Sequence, residues 1–378
     1  MTIAGRGRLI KATLAMAAFL GASLAQTGGA AAAGGRWVAE PVPYPQGYLA
    51  DITHLDAHTT WAVGSRESTV DPYHPVLVGK DDRDGQGWKV IPTPDDGQDH
   101  TWYRNLDASS TRDVWAVGGA LSGTSVPAVH WDGSTWRSAD IPVPENSNVD
   151  MRVATVSPTD AWAAGWYSDP DTQISSPLLR HWDGTAWNAV PVPADADVMN
   201  LMAIEATPAH DVWVTGFSDT DQPRALHYDG TGWTPAAIPF TGVNGELYDI
   251  AANGPGDVYA VGRTLLDEKD WGHSLVMHYD GTAWHQVAAP AKAGQLISLA
   301  RTADGGIVAV GQDVDRTESI VLKSTTAGLS MRALPSVNGV APYVDGVDAT
   351  ARGTVTVIGM AGDTAGDPPA PLALTGSL

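Results

Sequence analysis

Four near-identical heptads punctuate the chain: HWDGSTW at 130–136, HWDGTAW at 181–187, HYDGTGW at 227–233 and HYDGTAW at 278–284. Each is preceded by a second signature: DVWAVG (113–118), DAWAAG (160–165), DVWVTG (211–216) and DVYAVG (257–262). Fainter copies are TTWAVG (59–64), GIVAVG (306–311) and TVTVIG (354–359). The central residues are Trp61, Trp115, Trp162, Trp213, Tyr259, Val308 and Thr356, a period of about fifty residues. A unit that short, built from alternating and β-branched segments, cannot bury a core alone and must stack on its neighbours.

The spacing predicts an all-β chain, a seven-bladed β-propeller with four antiparallel strands per blade. In the third repeat MRVATVS reads as the inner strand, DAWAAGW as the second, SPLLRHW as the third and TAWNAVPVP as the outer one. Asp-Gly reads as a two-residue hairpin turn, and the terminal prolines suit an outer edge. The second tryptophan of each heptad is expected at the contact between blades. The last repeat stops after its third strand, PLALTGSL (371–378), while RWVAEPVP (36–43) matches AWNAVPVP (186–193). The N-terminal strand is therefore expected to complete the last blade and close the ring. His130, His181, His227 and His278 recur once per blade, which points to structure rather than to a converging metal site.

Arg6, Arg8 and Lys11 followed by the apolar run Ala12–Ala25 read as a secretory signal over residues 1–33, cleaved after Ala25 or Ala33. Residues 34–378 read as one propeller domain. The run is too short to span a membrane, so export without membrane insertion is expected. The chain has no cysteine, which excludes disulfides and thiolate chemistry. Its formal charge is −21, and the leader holds three of the basic residues, so the remainder is more acidic still. Nucleic acid is a poor partner for such a surface.

These DVWAVG…HWDGTxW repeats resemble a group of secreted, lectin-like, seven-bladed propeller proteins of actinobacteria. They are similar to the propeller lectin subunits of umbrella toxin particles. The resemblance implies glycan or cell-surface polysaccharide binding, and assembly with other secreted proteins of a toxin complex.

The connections between second and third strands are long and unlike one another, so ligand binding is expected on the face they share. Twelve of the fifteen tryptophans belong to the repeat; Trp102, Trp166 and Trp271 do not. With their neighbours Tyr103, Tyr167 and His273, and Tyr73 from the first such loop, they form the candidate ligand-binding set. Counting back eleven residues from each repeat centre gives a funnel mouth of Ala50, Arg104, Met151, Met202, Tyr248, Ile297 and Asp345. Arg104, Tyr248 and Asp345 join the candidate set, and the uneven ring suits one ligand rather than seven.

No cofactor is expected. HLDAH (54–58) could offer zinc ligands, and Asp169/Asp171, Asp195/Asp197, Asp219/Asp221 and Asp313/Asp315 could offer calcium ligands, but turn chemistry explains both patterns. No catalytic motif is present. A non-catalytic binding module is the first expectation; a propeller hydrolase or lyase acting on extracellular glycans or small metabolites is the alternative.

Overall fold

In the repeat signature a Trp or Val alternates with small residues, so one face of each strand carries bulk and the other packs closely. The computed structural model describes residues 37–67, 73–95, 97–98, 100–172, 174–207, 211–265, 272–361 and 369–378. The proposed leader and Trp271 lie outside these. Among the described residues the strands form five four-stranded antiparallel sheets and one eight-stranded sheet. The larger sheet consists of two four-stranded units, joined where Asp113–Val126 pairs with Ile141–Ser157. Units 1 to 7 thus span 47–90, 101–138, 141–189, 200–236, 244–286, 293–333 and 343–377. Strand Val38–Glu40 pairs with Ala370–Ser377 of unit 7, Ala39 opposite Leu374. Glu40 there accepts bonds from Lys80 Nζ (2.8 Å) and Trp88 Nε1 (2.8 Å) of unit 1.

Each hydrophobic cluster lies between two successive units rather than inside one. Trp115, Val117 and Ile141 pack with Met151, Ala163 and Trp187 across units 2 and 3. Leu49, Ile52 and Val78 of unit 1 pack with Ile358 and Ala373 of unit 7. The outer-strand tryptophans do reach the preceding unit: Trp187 lies 5.0 Å from Trp115, Trp233 5.4 Å from Trp162 and Trp284 5.3 Å from Trp213. The outer strands are shorter than their sequence suggests, Trp187–Ala189 in unit 3, because the following prolines cannot donate to the ladder.

The heptad turns differ from the expected two-residue form. Gly184 alone takes a positive φ, +90°, while Asp183 does not. Asp183 Oδ1 instead accepts bonds from the Thr185 N–H (2.8 Å), the Thr185 hydroxyl (2.6 Å) and the Ala186 N–H (3.0 Å), which lengthens the loop to Asp-Gly-Thr-Ala between paired Trp182 and Trp187. The repeated histidines are internal pins. His181 Nε2 lies 2.9 Å from Asp160 Oδ1, its ring 4.2 Å from Trp162; His130 bonds Asp113 at 2.6 Å and stacks on Trp115 at 4.4 Å. His227 and His278 repeat this with Asp211/Trp213 and Asp257/Tyr259.

The inner strand of each unit is a sheet edge, in unit 3 only beyond Asp150, so its outward N–H groups need acceptors from elsewhere. Side chains of the adjoining unit supply them. Asp51 Oδ2 accepts from the Leu106 N–H (2.8 Å), Asn105 Oδ1 from Val153 (2.8 Å), Asp107 from Thr155 (2.5 Å), Asp249 from Leu299 (2.8 Å) and Asp348 from His54 (2.7 Å). The last of these links unit 7 to unit 1.

Candidate functional site

The residue ending each signature is a glycine because the inner strand crosses it closely. A Cβ on Gly64 would lie 2.1 Å from the Tyr48 carbonyl oxygen, one on Gly118 1.7 Å from that of Trp102, and one on Gly262 1.9 Å from that of Glu246. In six units the inner strand bulges just after this contact, and the extra residue has no partner in the ladder. Those residues are Ala50, Arg104, Met202, Tyr248, Ile297 and Asp345. A bulge re-aims its side chain relative to the regular alternation of the strand. The positions counted from the repeat centres thus coincide with a bulge in six units.

Unit 3 is the exception. Its inner strand pairs without a bulge there, Met151 opposite Gly165 and Arg152 opposite Ala164. Met151 is fully buried in the core and does not reach the mouth. Asp150 and Arg152, on the opposite face of that strand, join Arg104 instead, and a count from the repeat centre passes over both because a fixed offset presumes a bulge in every unit.

Arg104 occupies the centre of the network. Its Nε lies 3.7 Å from Asp150 Oδ2, and Arg152 Nη1 lies 3.8 Å from the same oxygen. Burial opposes the Arg104 charge, but Asp150, Asp345 and the Tyr48 and Tyr343 phenols outweigh it and hold the guanidinium more firmly protonated than usual. Burial pushes Asp345 up to about 6, against the pull of Arg104. Burial likewise lowers Arg152, with Arg104 adding repulsion and Asp150 resisting. On the far side, the Tyr248 hydroxyl donates to Glu246 Oε2, and Arg263 donates to Glu246 Oε1 at 3.0 Å. Burial, then Glu246, raises the Tyr248 phenol. Burial also lifts Asp51 to about 7 and Glu205 to about 8.

The aromatic candidates divide. Tyr103 is 1% exposed, packs in the core between units 1 and 2 and offers no face to a ligand; its hydroxyl donates to Thr93 at 3.2 Å. Its inward orientation follows from strand alternation: Trp102 and Tyr103 point to opposite faces. Trp102 is half-buried, 5.9 Å from Tyr73 and packed over Gly119, where a Cβ would meet its ring at 2.5 Å. Tyr73 is itself buried and lies 6.4 Å from His100. Tyr167 packs partly into the core between units 2 and 3. Trp166 is half-buried and stands opposite Asp150 in the ladder. His273 opens the strand His273–Tyr279, paired with Thr264.

The other candidate ligand clusters serve local structure. His54 Nδ1 bonds Asp348 Oδ2 (2.9 Å), and Asp56 caps a turn through the His58 and Thr59 N–H groups. Asp169 accepts from the Asp171 and Thr172 N–H groups, Asp313 from Thr317 and Glu318, and Asp197 pairs with Arg224. Among the described residues no group of three or more His, Cys, Asp or Glu side chains is arranged to hold a metal ion.

A family described as a protein of unknown function (DUF2510) matches residues 164–198, a small part of the chain. No curated protein matches the sequence. Among solved structures, the chain is similar to YCF48 bound to D1 peptide, with a TM-score of 0.58 at 14% identity, covering 90% of this chain and 97% of that one. A chain of the mitotic checkpoint complex aligns with a TM-score of 0.54 at 10% identity, covering 96% and 98%. The fucose-specific lectin from Aleuria aurantia reaches 0.49 at 10% identity, covering 77% and 97%, too weak a likeness to argue from. These likenesses support an all-β, propeller-like fold.

Proposed function

We propose that this chain is an exported, non-catalytic recognition module: a seven-bladed propeller, closed by its N-terminal strand, that takes a glycan or a protein partner at the channel mouth and the loops around it. Support for the closed ring comes from Val38–Glu40 on unit 7 and from the apolar packing and the Asp348–His54 bond between units 7 and 1. One observation carries the functional reading. Tyr48, Arg104, Asp150, Tyr248, Tyr343 and Asp345, from five units, are coupled electrostatically in one partly exposed cluster, and such a concentration of charged and phenolic groups suits a binding site. The resemblance to toxin-particle lectins favours a place in a secreted assembly. Individual glycan contacts of this kind are weak, about millimolar or −4 kcal/mol.

The test is retention of the purified protein on immobilised glycans, alongside capture of stoichiometric partners from culture medium. Arg104→Ala should cut retention at least tenfold. Unchanged retention of every glycan and partner would remove the mouth as the recognition site.

A second reading, an enzyme acting on glycans, draws on the Tyr248–Glu246–Arg263 relay, since a phenol with a carboxylate base in reach can lose its proton during attack. Its mark is turnover of aryl glycosides that disappears in Tyr248→Phe.

A further inference from the structure

Asp150, Arg152 and Trp166 form a group that neither the repeat nor the packing accounts for. Asp150 and Arg152 are two apart on one strand, and Trp166 stands directly opposite Asp150 on the next. Residues so related project to the same face of a sheet, with directly opposed Cβ atoms about 5 Å apart. The face therefore presents an indole, a carboxylate and a guanidinium side by side, with Arg104 beyond them.

The hydrogen bonding of this group is incomplete. Arg152 is 8% exposed, yet its Nη1 has no hydrogen-bond partner in the protein, because 3.8 Å to Asp150 Oδ2 is too long. Asp150 Oδ1 is likewise buried and without a partner. Buried polar atoms are almost always satisfied, so this acid–base pair calls for a partner that the protein itself does not supply. A second open pair, Asp221 Oδ1 and Arg263 Nε, occurs on the far side of the mouth.

The open atoms define the ligand chemistry. A carboxylate or phosphate would suit Arg152 Nη1 but meet Asp150 Oδ1 as a like charge. An ammonium would suit Asp150 and meet two guanidinium groups. A hydroxyl both donates and accepts, so adjacent hydroxyls on one ring can satisfy both atoms, and the apolar face of that ring can lie on the indole.

We infer that Asp150, Arg152 and Trp166 are the seat of a neutral sugar ring, one uncharged hexopyranose residue of a glycan, held by stacking and by a pair of neighbouring hydroxyls. This rests on the channel mouth being the recognition face. It adds which side of the mouth binds and that uncharged sugars are preferred over uronic acids and amino sugars.

The experiment titrates the full-length protein with methyl glycosides of glucose, galactose, mannose and N-acetylglucosamine, and with methyl glucuronide and methyl glucosaminide, by ligand-observed NMR. At least one neutral glycoside should bind more tightly than both charged ones. Asp150→Asn and Trp166→Ala should each weaken it at least tenfold, while Trp166→Phe should stay within a few-fold. Circular dichroism checks the fold, and Trp166→Phe with Asp150→Asn carries the test if Trp166→Ala does not fold. Preference for a charged sugar, or binding indifferent to Asp150→Asn, overturns the seat. If Arg104→Ala abolishes glycan retention while Asp150→Asn does not, the mouth stands and the seat falls. If no glycan and no protein is retained at all, the recognition reading falls and the seat with it.

Discussion

Asp51 shows what a single side chain does in this fold. It lies half-buried on an inner strand and reaches sideways to the Asn105 side chain (2.6 Å) and the Leu106 N–H. Without it, a buried donor on the edge of unit 2 would have no partner. Asp51→Ala is expected to cost about 1–3 kcal/mol, the penalty for an unsatisfied buried amide. Asp51→Asn keeps an acceptor and removes a charge that burial disfavours, so at pH 8 it should be neutral or stabilising. Urea denaturation of both variants separates the two effects; equal losses would mean that the charge, not the acceptor, matters. At this scale the sequence was partly legible. The heptad aspartates announce turns, and the His-Asp-Trp pins follow from residues that recur together. The acceptors Asp51, Asp107, Asp249 and Asp348 were missed, although acids at aligned inner-strand positions are a signal available without a structure.

Among the elements, the inner strand with its bulge has the most consequence. The glycine opposite is what permits it. Gly262 faces the Glu246 carbonyl, and the next residue, Tyr248 after Leu247, is the bulge that enters the mouth. Gly262→Ala should cost about 1–3 kcal/mol through overpacking and should disturb Tyr248. Thermal melting reads the first effect and the indole and phenol NMR signals the second; an unchanged melt would contradict the close approach. Counting from the repeat centre found Arg104, Tyr248 and Asp345 because each sits on a bulge. It failed in unit 3, where Met151 keeps the regular pairing and Arg152 pairs with Asp150 on the other face. A bulge is one residue of register, and the repeat signature is the same with or without it.

Over the whole molecule, opposing sets of carboxyl groups shape the dependence on pH. Half-buried Asp345, Asp51 and Glu205 are raised by desolvation to about 6, 7 and 8. Their folded values exceed the unfolded ones, so their contribution is complete below the unfolded value of about 4 and is lost as pH rises through the folded values. The turn carboxylates run the other way. Asp229 lies at about 2 through its bonds to Thr231 and Gly232, so its contribution holds above about 4 and is lost as pH falls toward 2. Stability is therefore expected to peak near pH 4 and to decline as pH rises through about 8, helped by growing self-repulsion in so acidic a chain. The melting temperature should be higher at pH 5 than at pH 9, and Asp51→Asn with Glu205→Gln should flatten the alkaline limb. A flat profile in the unmutated protein would show that these carboxyls do not titrate differently on folding.

The chain by itself determined everything that recurs: the strand order within a unit, the turn residues, the tryptophans between units and the match of the first strand to the missing last one. Periodicity carries that information because each unit solves the same local packing problem. Only the tertiary structure decided what happens where units differ. Tyr103 turned inward while Trp102 packed over Gly119; Asp150 and Arg152 joined Arg104 where a bulge is missing; Arg104 met Asp345 from far along the chain. Those outcomes depend on one-residue shifts in hydrogen-bond register and on contacts between distant segments, and neither leaves a mark in the local order of residues.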